Sequence, residues 1–235
     1  VNLVRSLVFV AIFYIWSAAL AILFLPLMLG PLSVILRAFR FWTLGVMALL
    51  RVCCGVRVEL RGREFLPKGA AVIAAKHQCM FDVFAEFAWL PANCFVMKKE
   101  LLLIPFFGWY AQRTGMISLD RAGRSDALRK LVRAAKTRFA QGRQLVIFPE
   151  GSRGEPGRAG DYQPGVAALY RELDAPVIPV ATNSGVHWPA HGFIRKPGLI
   201  VFEYLPPIPA GLPRKAFMAR LEETIETAST RLLAL

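Results

Sequence analysis

Acidic residues are scarce in this chain: Asp and Glu number 16 against 29 Lys and Arg, and none occurs before Glu59. The resulting charge of +13 requires an anionic partner, and nucleic acid, anionic lipid or a phosphorylated substrate would each meet it. Position separates these. Everything before Glu59 carries only Arg5, Arg37, Arg40, Arg51 and Arg57 beside long apolar stretches, an arrangement an anionic membrane attracts and a nucleic-acid binder does not need. Cysteine is also sparse. Cys53, Cys54, Cys79 and Cys94 show neither C-x-x-C spacing nor the density of a secreted scaffold, so no disulfide framework is indicated and a reducing, cytoplasmic setting is the default. Of three histidines, His187 and His191 are four apart, but Pro189 between them disfavours the helix that would align them on a metal, and no metal site is expected.

Hydrophobic residues reach 55%, high for a soluble protein and low for a multi-span transporter. A peripheral or monotopic membrane protein fits between those limits. The length suits one catalytic domain, 59–235, with an appendage, 1–58. From Ser6 to Leu36 there is no charged residue, long enough to enter a bilayer. A cleaved signal peptide would end near Ala19-Leu20-Ala21, yet the apolar run continues through Leu29. A single span would end near Pro26. A third arrangement, the one expected here, is a helical hairpin broken at Pro26, Gly30 and Pro31, with Arg5 and the Arg37/Arg40 pair holding both ends on the cytoplasmic side of a membrane, the bacterial inner membrane being the natural setting.

After Arg57 short apolar runs alternate with amphipathic ones, the texture of an α/β domain with a mixed central sheet flanked by helices. Residues 71–75, 93–97, 115–119, 144–148, 177–181 and 199–204 read as strands. Ser125 to Gln141 reads as a helix capped by Ser125, stopped by Gly142 and presenting a basic outer face, which solvation alone would also produce. Pro213 to Leu233 reads as a closing amphipathic helix.

Two segments carry chemistry. Lys76-His77-Gln78-Cys79-Met80-Phe81-Asp82 follows a predicted strand directly, at a sheet edge where active sites gather. Residues five apart on one helix are about 140° out of phase, so His77 and Asp82 meet only if the chain turns between them. A carboxylate on one imidazole nitrogen would fix the tautomer, leaving the other to take a proton from an alcohol. The second segment, Phe148 to Gly154, runs from a strand into a turn whose glycines allow close backbone approach. Arg153 there offers a fork matching a phosphate, and Glu150 could orient it or bind a glycerol hydroxyl. Between the two, Lys98 and Lys99 precede an apolar, aromatic stretch to Tyr110 that suits a phosphate head on an acyl tail, or a core.

The order of these segments resembles the lysophosphatidic acid acyltransferase family (1-acyl-glycerol-3-phosphate acyltransferases), within the glycerolipid acyltransferase superfamily. Four blocks carry the resemblance: His77-x4-Asp82, Lys98 to Arg121 with its Leu-Asp-Arg ending, Phe-Pro-Glu-Gly-Ser-Arg at 148–153, and Val-Ile-Pro-Val-Ala at 177–181. It implies a His77–Asp82 base pair, recognition of phosphate and glycerol by Lys98, Lys99, Arg121, Glu150, Gly151 and Arg153, a lysophospholipid acceptor, and acyl-CoA or acyl carrier protein as donor, with no bound cofactor. Cys79 stands where family members often carry serine, which admits an acyl-cysteine route beside direct transfer. Two other readings remain at this level: the same chemistry on a different lysophospholipid or lyso-aminolipid, and a non-enzymatic protein that holds anionic membrane.

Overall fold

A computed structural model describes residues 1–120 and 124–235. Among the described residues, seven strands form one sheet in the order β1-β7-β6-β2-β5-β3-β4. They are β1 (Val56–Arg61), β2 (Ala71–Ala75), β3 (Asn93–Lys98), β4 (Ile117–Leu119), β5 (Gln144–Ile147), β6 (Val177–Thr182) and β7 (Gly198–Tyr204). All neighbours run parallel except β6 and β7, so the sheet is mixed. β2 lies in its middle and is buried along its whole length, as a run of five small and branched apolar residues requires.

The pleat sends alternate residues of β2 to opposite faces. Val72 and Ala74 face one layer, built from α5 (Arg124–Ala140), α6 (Pro164–Leu173) and α8 (Arg214–Leu232), where Leu131, Leu169, Phe217 and Leu221 are buried. The helix expected from Ser125 begins one residue earlier, and Gly142, in the left-handed region at φ 76°, closes the turn after it.

Ala71, Ile73 and Ala75 face the other layer, which contains α3 (Phe81–Ala85) and the N-terminal helices. α1 (Asn2–Leu23) and α2 (Leu32–Leu49) are joined by a 3₁₀ turn over Leu25–Leu29 and fold back on each other. Trp16 Nε1 donates to the Trp42 carbonyl at 3.3 Å, and Trp42 Nε1 to Ser17 Oγ at 3.0 Å. The hairpin expected from Pro26, Gly30 and Pro31 is therefore present. It is not an appendage, however. Phe9 and Phe13 are buried among Phe84 and Trp188, Thr43 Oγ1 donates to the Phe84 carbonyl, and Arg113 of α4 (Phe107–Arg113) donates to the carbonyls of Met28 and Gly30 at the hairpin tip. The boundary expected between 58 and 59 falls inside β1, which pairs with β7 from Val56 onward.

α1, and α2 with the helical turn that continues it to Cys54, are long and apolar enough to cross a membrane by length and composition, with only 22% and 28% of their most apolar stretches buried. A helix wholly inside a soluble core would be mostly covered. Here one side of each arm packs on the domain, and Leu3, Leu7, Ile12, Ile15, Ile22 and Leu44 remain exposed.

Candidate active site

The parallel arrangement brings the C-terminal ends of β2, β5 and β3 to one edge of the sheet, and the chemistry-bearing segments leave from there. After β2 the chain turns through Gln78 to Met80 and enters α3, of which Asp82 is the second residue. That turn closes the angular gap a continuous helix would leave. His77 Nδ1 lies 3.1 Å from Asp82 Oδ2, which also accepts the backbone N–H groups of Gln78 at 2.6 Å and Cys79 at 2.8 Å. Asp82 Oδ1 accepts from Ser184 Oγ at the start of α7 (Ser184–His187). With its side chain 1% exposed, the carboxylate is surrounded by these donors and selects the tautomer in which Nδ1 carries the proton. Nε2, on the other side of the ring, meets no hydrogen-bond partner among the described residues. The imidazole stacks on Phe148 with centroids 4.2 Å apart, so its plane is fixed as well as its tautomer.

The backbone of His77 is gripped by the segment after β5. Its N–H donates to Glu150 Oε1 at 3.1 Å, and its carbonyl accepts from Gly154 N–H at 2.8 Å. Glu150 Oε2 accepts from Lys76 Nζ at 3.2 Å. A Cβ on Gly154 or on Gly160 would come within 2.8 Å of Glu150 Oε2, so close approach to this carboxylate requires glycine at both positions. Burial raises the Glu150 carboxyl above its usual range and Lys76 opposes the rise. The Glu150 carboxylate is turned inward, with one oxygen on Lys76 and the other on the His77 N–H, so it shapes the His77 loop, while Arg153 is held by the Ala190 carbonyl.

Gly151 adopts φ 69° and swings the chain outward after Glu150. Arg153 is exposed, with Nη1 donating to the Ala190 carbonyl at 3.2 Å. Lys98, at the end of β3, is exposed, and Lys99 Nζ lies 3.5 Å from Asp120 Oδ2. Arg121 lies outside the described residues. The stretch after Lys99 is only partly core: Leu103, Ile104, Phe107 and Trp109 are exposed, while Tyr110 is buried and donates to the Ala21 carbonyl at 2.9 Å.

Cys79 is fully buried, and its thiol donates to Asp82 Oδ1 at 3.5 Å. Burial, with the Asp82 charge beside it, pushes this thiol well above its ordinary range. A neutral, buried thiol is a poor nucleophile, which weighs against the acyl-cysteine route.

The sequence reading missed Ser184 and Lys76 as members of the site. Ser184 carries no sequence signal, because its role depends on β6 delivering it beside α3. Lys76 does carry one: a lysine directly ending an otherwise apolar strand must be paired if the strand is central.

A model of the acyltransferase family matches residues 57–183. The chain is 33% identical over 195 residues to the 1-acyl-sn-glycerol-3-phosphate acyltransferase of Pseudomonas aeruginosa, covering 80% of this chain and 76% of that one. It is 41% identical over 104 residues to the Helicobacter pylori protein of the same name, covering 44% and 43%, and 30% identical over 132 residues to the human 1-acyl-sn-glycerol-3-phosphate acyltransferase alpha, covering 55% and 47%. The crystal structure of the 1-acyl-sn-glycerophosphate (LPA) acyltransferase from Thermotoga maritima superposes with a TM-score of 0.83 over 100% of this chain and 99% of that one. At 20% identity this likeness establishes the fold alone.

Proposed function

The chain belongs to the acyltransferase family that includes the 1-acyl-sn-glycerol-3-phosphate acyltransferases, and from that membership we propose that it acylates the sn-2 hydroxyl of 1-acyl-glycerol-3-phosphate, giving phosphatidic acid for phospholipid synthesis. The donor is a thioester, acyl-CoA or acyl carrier protein. The observation that carries the reading is the fixed His77–Asp82 pair, 3.1 Å apart at a sheet edge that also presents exposed Lys98 and Arg153. His77 Nε2 removes the hydroxyl proton as the oxygen adds to the thioester carbonyl. Collapse of the tetrahedral intermediate expels the thiolate, which takes the proton from the imidazolium. Asp82 stabilises that imidazolium without itself taking the proton.

Arg153, with Lys98 and Lys99, binds the acceptor's phosphate in this reading. Arg153→Ala is expected to raise the acceptor KM several-fold or more while the donor KM changes little, and Arg153→Lys fails to restore it because a point charge replaces a two-pronged donor. Purified protein assayed on a panel of lysolipids with both thioester donors checks this. A preference for acceptors lacking the phosphomonoester would overturn the head group, and an unchanged acceptor KM would make Arg153 structural.

The hairpin's exposed apolar face, together with Leu103, Ile104, Phe107 and Trp109 beside Lys98 and Lys99, supports seating on an anionic leaflet, with the catalytic edge on the cytoplasmic side. Single cysteine reporters at residues 2 and 40, in a background lacking the native thiols, are expected to label from the same side of sealed vesicles. Labelling from opposite sides would replace the hairpin with a crossing segment.

A further inference from the structure

Lys76 is 1% exposed, and each of its three ammonium hydrogens has an acceptor. Nζ lies 2.8 and 2.9 Å from the two oxygens of Glu226, 3.2 Å from Glu150 Oε2 and 3.0 Å from the Arg158 carbonyl. Glu226 belongs to α8, far along the chain, and Tyr162 Oη donates to its Oε1 at 2.9 Å. Glu150 passes the contact on, through its other oxygen, to the backbone N–H of His77.

A buried cation could be balanced by one carboxylate. Two carboxylates from distant segments, plus a phenol and a carbonyl, build a rigid bracket with its open end on the backbone of the proposed base. α8 need not supply a charge to pack: Phe217, Leu221, Ile225, Ala228 and Leu232 already bury its apolar face. The geometry points to Glu226 and Lys76 as positioning residues for acyl transfer: α8 holds the His77 loop through Glu226, Lys76 and Glu150, so the C-terminal helix completes the active site.

This inference rests on His77 being the base, so His77→Ala serves as the reference throughout. The tests are Glu226→Gln, which keeps the shape and an acceptor for Tyr162, and Glu226→Ala, which removes both, in the full-length protein. Each is measured with thermal melting and initial rates on 1-acyl-glycerol-3-phosphate and an acyl-CoA. We expect kcat to fall about ten-fold in Glu226→Gln and further in Glu226→Ala, with both KM values unchanged, since only the presentation of the base is lost. The charges around His77 are Asp82 on α3, Lys76, Glu150 after β5 and Glu226 on α8. Removing a negative one makes the imidazolium less favourable, so the acid limb of kcat/KM moves to lower pH. A purely structural glutamate would lower the melting temperature and leave that limb in place. If Glu226→Ala folds poorly, Glu226→Gln and Tyr162→Phe carry the test. Folded variants with wild-type kcat and an unmoved acid limb overturn the bracket, provided His77→Ala is inactive. An active, folded His77→Ala would overturn the base itself.

Discussion

His77→Ala is expected to fold normally and to lose acyl transfer by about 10²-fold or more, the contribution of a general base. The imidazole is partly exposed and packs against Phe148 on one side, so its removal leaves little cavity. Asp82→Ala should lose comparable activity for a different reason. The imidazole keeps its place but loses the acceptor that selects the Nδ1-protonated tautomer. It also strands the N–H groups of Gln78 and Cys79 and the Ser184 hydroxyl, which the carboxylate now satisfies. Each buried orphan costs on the order of 1–3 kcal/mol, so Asp82→Ala alone of the pair should also melt at a clearly lower temperature. Rates on purified variants, each checked by circular dichroism melting, test the pair. Near-normal turnover by a folded His77→Ala protein would remove the proposed mechanism.

Phe9→Ala should destabilise the whole protein by about 3–5 kcal/mol, although Phe9 lies in what reads as a membrane anchor. The side chain is 0% exposed, edge-on to Trp188 at 5.5 Å and beside Phe13, with the Arg195 guanidinium 5.7 Å from its ring centre. Trp188 in turn stacks on Phe81, which is adjacent to Asp82. A cavity here reaches the helix that carries Asp82. Thermal melts in one detergent or vesicle composition decide it: a catalytic domain indifferent to Phe9→Ala would return the hairpin to the status of an appendage. Ile12→Ala on the exposed face is the control and should change the melt little.

That contrast explains where the sequence could be read and where it could not. β2, β5 and β6 were legible because buried strands of a parallel region are short unbroken apolar runs. β1 was not: Val56–Arg61 alternates apolar and charged residues at the sheet's edge and was divided between the two expected regions. α6 carries little sequence signal despite Pro164 at its first position, because ten residues barely outlast a turn-rich loop. The hairpin's docked face was illegible in principle. A phenylalanine facing lipid and one facing Trp188 sit in the same kind of sequence, since hydrocarbon is as apolar as a protein core. In the site, His77 and Asp82 could be paired because their spacing and a turn sufficed. The inward contacts of Glu150 are not legible, because its partners Lys76 and the His77 N–H come from the segment after β2, distant in sequence, and no local pattern records that a carboxylate faces inward.

The pairing of β1 with β7 bears on how the chain is made. Val56 is synthesised early, yet its partner Gly198 emerges only after nearly the whole domain, and Trp188, on which Phe9 rests, comes only shortly before. Until then the part of the hairpin's inner side that rests on Trp188 lacks its partner, although Phe84 and the opposite arm are already made. Contacts of such high sequence separation form late, and uncovered apolar surface favours aggregation meanwhile. In the membrane-seated reading proposed above, the bilayer covers that surface during folding as well as during catalysis.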